Sequence, residues 1–272
     1  MQFVDFARAH GLIVNHIEVD RWVSTPTEDK PRSSNGRYRY LGSVGWVQNW
    51  AVMDRPAIWF ADGKNKDSPD VKKSIDKSAT DRKERARKAA AKAGWIMHQT
   101  VLDTHPYLAK KGFPNECGNI WEKDGKKLLV IPMRIGRTLV GIQTISEEGE
   151  KKFLYGQTSK NAIFTFDALG MPIFCEGYAT ALSIREVMRA TNIKYTIHVC
   201  FSASNMQHVA GAVRDGLIVA DNDPNGVGVG VAEKTGHPYW ISNTVGEDFN
   251  DYHKRVGTFK ASQSLKKMLI KT

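Results

Sequence analysis

The chain has 272 residues, 41% of them hydrophobic, and its 39 lysines and arginines outnumber its 29 aspartates and glutamates to give a net charge of +10. That is apolar material for one large globular domain or two smaller ones. No apolar run approaches the ~20 residues that span a bilayer, and the opening MQFVDFARAH, with Asp5, lacks the basic start of a signal peptide, so no membrane partner is expected and the expected location is the cytoplasm of a bacterial or infected host cell.

Residues 1–75 are read as an accessory unit. Alternation of polar and aromatic positions in GRYRYLGSVGWVQNWAVMD predicts short strands, and a polar linker follows around Pro69. Trp46, Trp50 and Trp59, with Arg37 and Arg39, either form the core of this β-rich unit or stack bases and hold phosphates. An Ala/Arg/Lys/Glu-rich helix is predicted from Asp81, near its start, to Lys92, ending at Gly94, with its charges complementing the helix dipole. Residues 76–168 form a mixed α+β basic subdomain: a turn-rich stretch, THPYLAKKGFPNECG, precedes strands at KLLVIPMRI, TLVGIQTIS and KKFLYG.

From 169 to 272 the rhythm is strand, helix, strand. MPIFCE reads as a buried strand and YTIHVCF, GLIVAD and PYWIS as further strands, with helices at GYATALSIREVMRA, NMQHVAGAVRD and the Gly/Val-rich run to Lys234. That alternation predicts a mostly parallel α/β sheet flanked by helices. Cys117, Cys175 and Cys200 stand far apart without a Cys-x-x-Cys pair, so neither a zinc site nor a disulfide framework is indicated and three buried thiols are the expectation. The positive charge favours a polyanionic partner.

Acidic residues follow the predicted parallel strands: Glu176 after the first, Asp221 and Asp223 after the third, Asp248 and Asp251 after the fourth. Ligands of such sheets bind beyond the carboxyl ends of the strands. Were the third strand to continue through ADND, both aspartates would point to one face. Converging carboxylates repel, and a hard cation such as Mg²⁺ or Mn²⁺ resolves the repulsion. Gly177 has no Cβ and admits a phosphate or ion close to the backbone. Each feature also has a plain structural reading: Glu176 as a helix-start carboxylate, ADNDPNG as a turn and GEDFNDYH as a helix cap.

Taken in order and spacing, FCEGYATALSI, LIVADND and GEDFND resemble the acidic motifs of the Toprim domain of bacterial-type primases, topoisomerases and some nucleases. Upstream, HPYLAKKGF is similar to the YLxxRG segment of the DnaG-type primase core, and the strands to KKFLYG resemble the segment that follows it. The resemblance covers residues 76 to 255. It implies that Glu176, Asp221, Asp223 and Asp248 hold divalent metals, that Asn250 or Asp251 loosely matches a later family aspartate, and that Lys110, Lys111, Arg134 and Lys152 face nucleotide and template. The implied activity is nucleotidyl transfer making short RNA primers from NTPs on single-stranded DNA, with Glu176, Asp221 and Asp223 catalytic and a separate replicative helicase as a partner. Neither the cysteines of the family's zinc module nor a helicase P-loop is found in the sequence. A Toprim nuclease, or a non-catalytic nucleic-acid-binding accessory, is the alternative.

Overall fold

The structure, a computed structural model, describes all residues except 51, 54, 167, 168, 190, 192, 225, 271 and 272. It divides into two compact units, Met1–Glu84 and Arg85–Thr272. In the first, helix α1 (Phe3–Ala9) precedes an antiparallel sheet of β1 (Trp22–Thr25), β2 (Gly36–Tyr40), β3 (Val44–Asn49) and β4 (Ala57–Phe60), in that order. Alternation sorts its two faces. Val23, Tyr38, Val47 and Ala57 stand opposite one another in register and pack with Phe3 and Ala7 of α1, while Trp22, Arg39, Trp46 and Ile58 share the other face. Phe3 stacks on Tyr40 with ring centroids 4.8 Å apart, and a Cβ at position 45 would overlap the Phe3 ring, so glycine is required there. Trp59 is buried in this core, whereas Trp50 is exposed.

Helix α2 (Pro69–His98) is much longer than the sequence pattern indicates. It starts at Pro69, with proline at the first helical position, after Asn65 Oδ1 accepts the Asp67 and Ser68 amides. It also passes through Gly94, because Ala93 and Ile96 are fully buried against Val130 and Ile142, which outweighs the roughly 1 kcal/mol propensity penalty of a mid-helix glycine.

The second unit holds two five-stranded sheets. β5 (Val101–Thr104), α3 (Pro106–Lys110), β6 (Cys117–Lys123), β7 (Lys126–Ile135), β8 (Thr138–Ile145) and β9 (Lys151–Phe153) build an antiparallel meander. Asp124 and Gly125, both at positive φ, turn β6 into β7 as two-residue hairpin loops require. Leu129, Ile131, Met133 and Ile145 face a core shared with the second sheet, and Val130 and Ile142 face α2. Cys117 lies exposed at the start of β6, so only Cys175 and Cys200 are the buried thiols expected of all three.

The second sheet follows with β10 (Phe164–Phe166), β11 (Met171–Cys175), α4 (Tyr178–Arg189), β12 (Tyr195–Val199), α5 (Ala203–Ala210), β13 (Leu217–Val219), α6 (Val227–Thr235), β14 (Tyr239–Trp240), α7 (Phe249–Val256) and α8 (Thr258–Ile270). The strand order is β10-β12-β11-β13-β14, parallel except for the edge strand β10. Residues of α4 and α8 pack with Ile173, Ile197 and Val219 on one face; residues of α5 and α6 pack with Phe174 and Ile218 on the other. From β11 the chain winds outward to β12 and then returns to the opposite side for β13. The crevice beyond the ends of β11 and β13 is therefore the topological switch point of the sheet. β13 stops at Val219, so Asp221 and Asp223 lie in the following loop and strand pleating is not what aligns them.

Candidate functional site

At that switch point the chain places a small cleft of about 60 Å³. It is lined by Glu176, Gly177, Ala179 and Thr180 after β11, by Asp221 after β13, by Asp248, and by Tyr107, Lys111 and Lys151.

Backbone pairing fixes the first wall. The Cys200 amide donates to Cys175 O at 2.8 Å and the Phe201 amide to Glu176 O at 3.0 Å, extending the β11–β12 ladder by two residues. Burial and the nearby Asp223 push the Glu176 carboxylate above the usual carboxylate range, with Lys151 and, less, the Ala203 amide at the start of α5 opposing them. A Cβ on Gly177 would stand 3.6 Å from Thr180 Oγ1 and 3.9 Å from Lys151 Nζ. Those are ordinary contacts, so glycine here leaves room in the cleft and is not demanded by strain.

Asp221 is the most perturbed carboxylate of the cleft. Its Oδ1 is shut off from solvent and, among the described residues, has no hydrogen-bond partner. Burial first, then Asp248, Glu176 and Asp223, raise its pKa to about 7, against a smaller opposing effect of Lys151. Packing holds it there: a Cβ on Gly228 in α6 would overlap the Asp221 carbonyl oxygen, so only glycine lets α6 approach.

Asp248 caps α7 and accepts the Asp251 amide at 2.8 Å, as the plain reading of GEDFNDYH anticipates. It faces the cleft as well, and Lys111 Nζ stands 3.8 Å from Asp248 Oδ2 and 3.6 Å from Asp251 Oδ1. Those two aspartates, after burial, push the Tyr107 phenol to about 12. Asp223 is exposed and outside the lining, acting on Glu176 and Asp221 through its charge alone.

The other basic candidates disperse. Lys110 Nζ donates to Glu147 O at 3.0 Å. Arg134 donates to Arg137 O at 3.1 Å and lines a separate depression with Pro132, Ile163 and Thr165. Lys152 pairs with Glu150 at 2.9 Å. Register explains the last: Lys151 stands opposite Ile145, whose face meets the second sheet, and Lys152 opposite Thr144, whose face meets α2. Lys151, the neighbour of the expected Lys152, lines the cleft together with Lys111. Alternation alone shows that the two lysines diverge; only pairing with β8 shows which one turns inward.

Among the described residues, no three His, Cys, Asp or Glu side chains stand close enough to form a ready-made metal cage. The donor set nonetheless suits a hard cation: oxygen ligands only, one of them buried and unpaired, beside a glycine that leaves space. None of the described helices is long and apolar enough to cross a membrane.

No protein-family model matches the chain, and no curated protein matches it. Among solved structures, a chain of the bacteriophage T7 lagging-strand DNA polymerase complex with primase domains of two gp4 subunits, an RNA/DNA hybrid and dTTP is 15% identical, with 60% of this chain and 84% of that chain covered and a TM-score of 0.42. The primase fragment of the bacteriophage T7 primase-helicase protein is 14% identical, with 60% and 68% covered and a TM-score of 0.42. Matches at this level describe what the chain resembles and assign it to no family.

Proposed function

We propose that the chain is a primase-type nucleotidyltransferase with a Toprim-like catalytic module, which joins ribonucleotides into short primers on single-stranded DNA. The observation that supports this most directly is Asp221 at the switch point of a parallel sheet: its Oδ1 is shut off from solvent without a partner among the described residues, and burial first, then three neighbouring acids, raise its pKa to about 7.

Glu176, Asp221 and Asp248 would hold Mg²⁺ or Mn²⁺, with Asp223 and Asp251 adding negative charge at the rim. A bound divalent cation would neutralise the acids and stabilise the oxygens of an in-line phosphoryl transfer. The remaining work falls to side chains. Lys151 and Lys111 supply the positive charge that a triphosphate needs. As the 3′ hydroxyl attacks the α-phosphorus and pyrophosphate leaves, Glu176 either helps hold the cation or takes the hydroxyl proton on its carboxylate. Gly177 leaves the opening through which a phosphate approaches.

The test incubates the protein with single-stranded DNA, labelled NTPs and Mg²⁺ or Mn²⁺, beside Asp221→Ala and Glu176→Gln. Short labelled RNA made by the wild type and lost in both variants supports the proposal. Degradation of the template instead identifies a nuclease using the same cleft, and neither product leaves a module that only binds nucleic acid.

A further inference from the structure

Away from the acidic cleft, the first unit presents a sheet face of unusual composition. Its core face is filled by α1, and the first turns of α2 cover the Val44 end of the other face through Val71, Ser74 and Ser78. The opposite end of that face stays open. There the Arg37 guanidinium lies 4.4 Å from the ring centroid of Trp22 and 4.5 Å from that of Trp50, and Nε and Nη2 both donate to Gln48 Oε1, at 3.2 and 2.9 Å. Trp22 keeps 42% and Trp50 52% of its surface in solvent. No carboxylate among the described residues pairs with Arg37, and no strand residue sharing its face is acidic.

We propose that this face binds single-stranded nucleic acid, with bases stacking on Trp22 and Trp50 and the backbone phosphate held at Arg37. Exposed indoles would ordinarily be withdrawn into a core, and Trp59 of the same sheet is. Arg37 instead packs against both rings, which lowers the side-chain freedom they lose on binding. Indole faces accept any base, and an arginine without an acidic partner favours a polyanion over an acid-neutral peptide surface. The excess of ten positive charges on the chain acts in the same direction. Stacking and phosphate capture on this face need neither the metal nor the acids of the cleft, so the inference stands independently of the proposed catalysis.

The experiment measures binding of fluorescein-labelled oligodeoxythymidine to the full chain by anisotropy, in EDTA so that cation-dependent binding at the cleft does not contribute. A second probe of equal length carries the same phosphates on abasic sugars. Wild-type protein should bind the thymidine probe about tenfold or more tightly than the abasic one. Trp22→Ala and Trp50→Ala should each remove most of that preference, while Trp22→Phe and Trp50→Phe retain part of it. Arg37→Gln should weaken both probes and lower the slope of log affinity against log salt by about 0.7. Equal wild-type affinity for the two probes would overturn the proposal without recourse to any variant. So would folded Trp22→Ala and Trp50→Ala proteins that keep the full preference, the result expected if the face serves a protein partner.

Discussion

The side-chain amide of Asn250 donates to the main-chain carbonyl of Lys111 at 2.9 Å, across 139 residues of sequence. The same nitrogen donates to Ser183 Oγ at 2.9 Å, and Asn250 is fully buried. One amide thus ties α7, which carries Asp248 and Asp251, to α4 and to the segment that carries Lys111. Asn250→Ala should cost about 1–3 kcal/mol, because the Lys111 carbonyl loses a donor in a buried setting. Urea unfolding of wild type and variant, with unchanged m-values, measures the loss.

Asp221 sets stability against function. Its folded pKa, about 7, lies above the ordinary 3.8, so the folded state binds the proton more tightly than the unfolded state. Its contribution to stability is consequently greatest in acid, falls as pH rises from about 4 to about 7, and is level above that. At pH 8 in EDTA, Asp221→Asn should be more stable than wild type by on the order of 2 kcal/mol, less than the full shift because solvent reaches part of the cleft. Thermal melts at pH 5 and pH 8 should show the advantage shrinking in acid.

Cation linkage offers a separate check. A divalent ion that binds only the folded protein stabilises it by mass action, about 2.7 kcal/mol at a hundredfold excess over Kd. Mn²⁺ should therefore raise the wild-type Tm, and the increase should vanish in Asp221→Asn. Equal increases in both proteins would place the ion elsewhere.

Two glycines of α6 are expected to behave oppositely. Ala at 228 must displace the Asp221 backbone, whereas a Cβ at 230 meets nothing within 4 Å. Gly228→Ala should destabilise by about 1–3 kcal/mol, as overpacking does, and impair the cleft. Gly230→Ala should stabilise by about 0.5–1 kcal/mol through helix propensity. Parallel denaturation curves decide both.

Lys151 and Lys152 separate by register. In the nucleotidyl-transfer assay, Lys151→Ala should lower kcat/KM for the triphosphate by about tenfold or more, the scale of a lost charged phosphate contact. Lys152→Ala, which removes a surface pair with Glu150, should stay within about twofold.

Much of the second sheet was legible beforehand. IFC and LIV are short apolar runs buried on both faces, and the helices between them carry apolar residues at helical spacing, so the strand-helix alternation is written locally. The acidic residues after those strands were equally visible. What escaped includes elements whose local pattern is weak: α1, β6, α8 and the extension of α2 on both sides of its predicted range, held by burial against distant partners, and β5 and β10, held by pairing with β6 and β12.

Sequence alone determined the residue types at the strand ends and their order along the chain, because apolar runs and turn residues act over a few positions. Tertiary structure decided which of them meet. Strand order put β11 beside β13, β8–β9 register turned Lys151 inward and Lys152 outward, and Lys111 came to rest between Asp248 and Asp251. The cause is physical: pairing partners and electrostatic neighbours are set by contacts across tens to more than a hundred residues, which no local pattern encodes. The isolation of Asp221 Oδ1, on which the proposed chemistry rests, is a property of that packing.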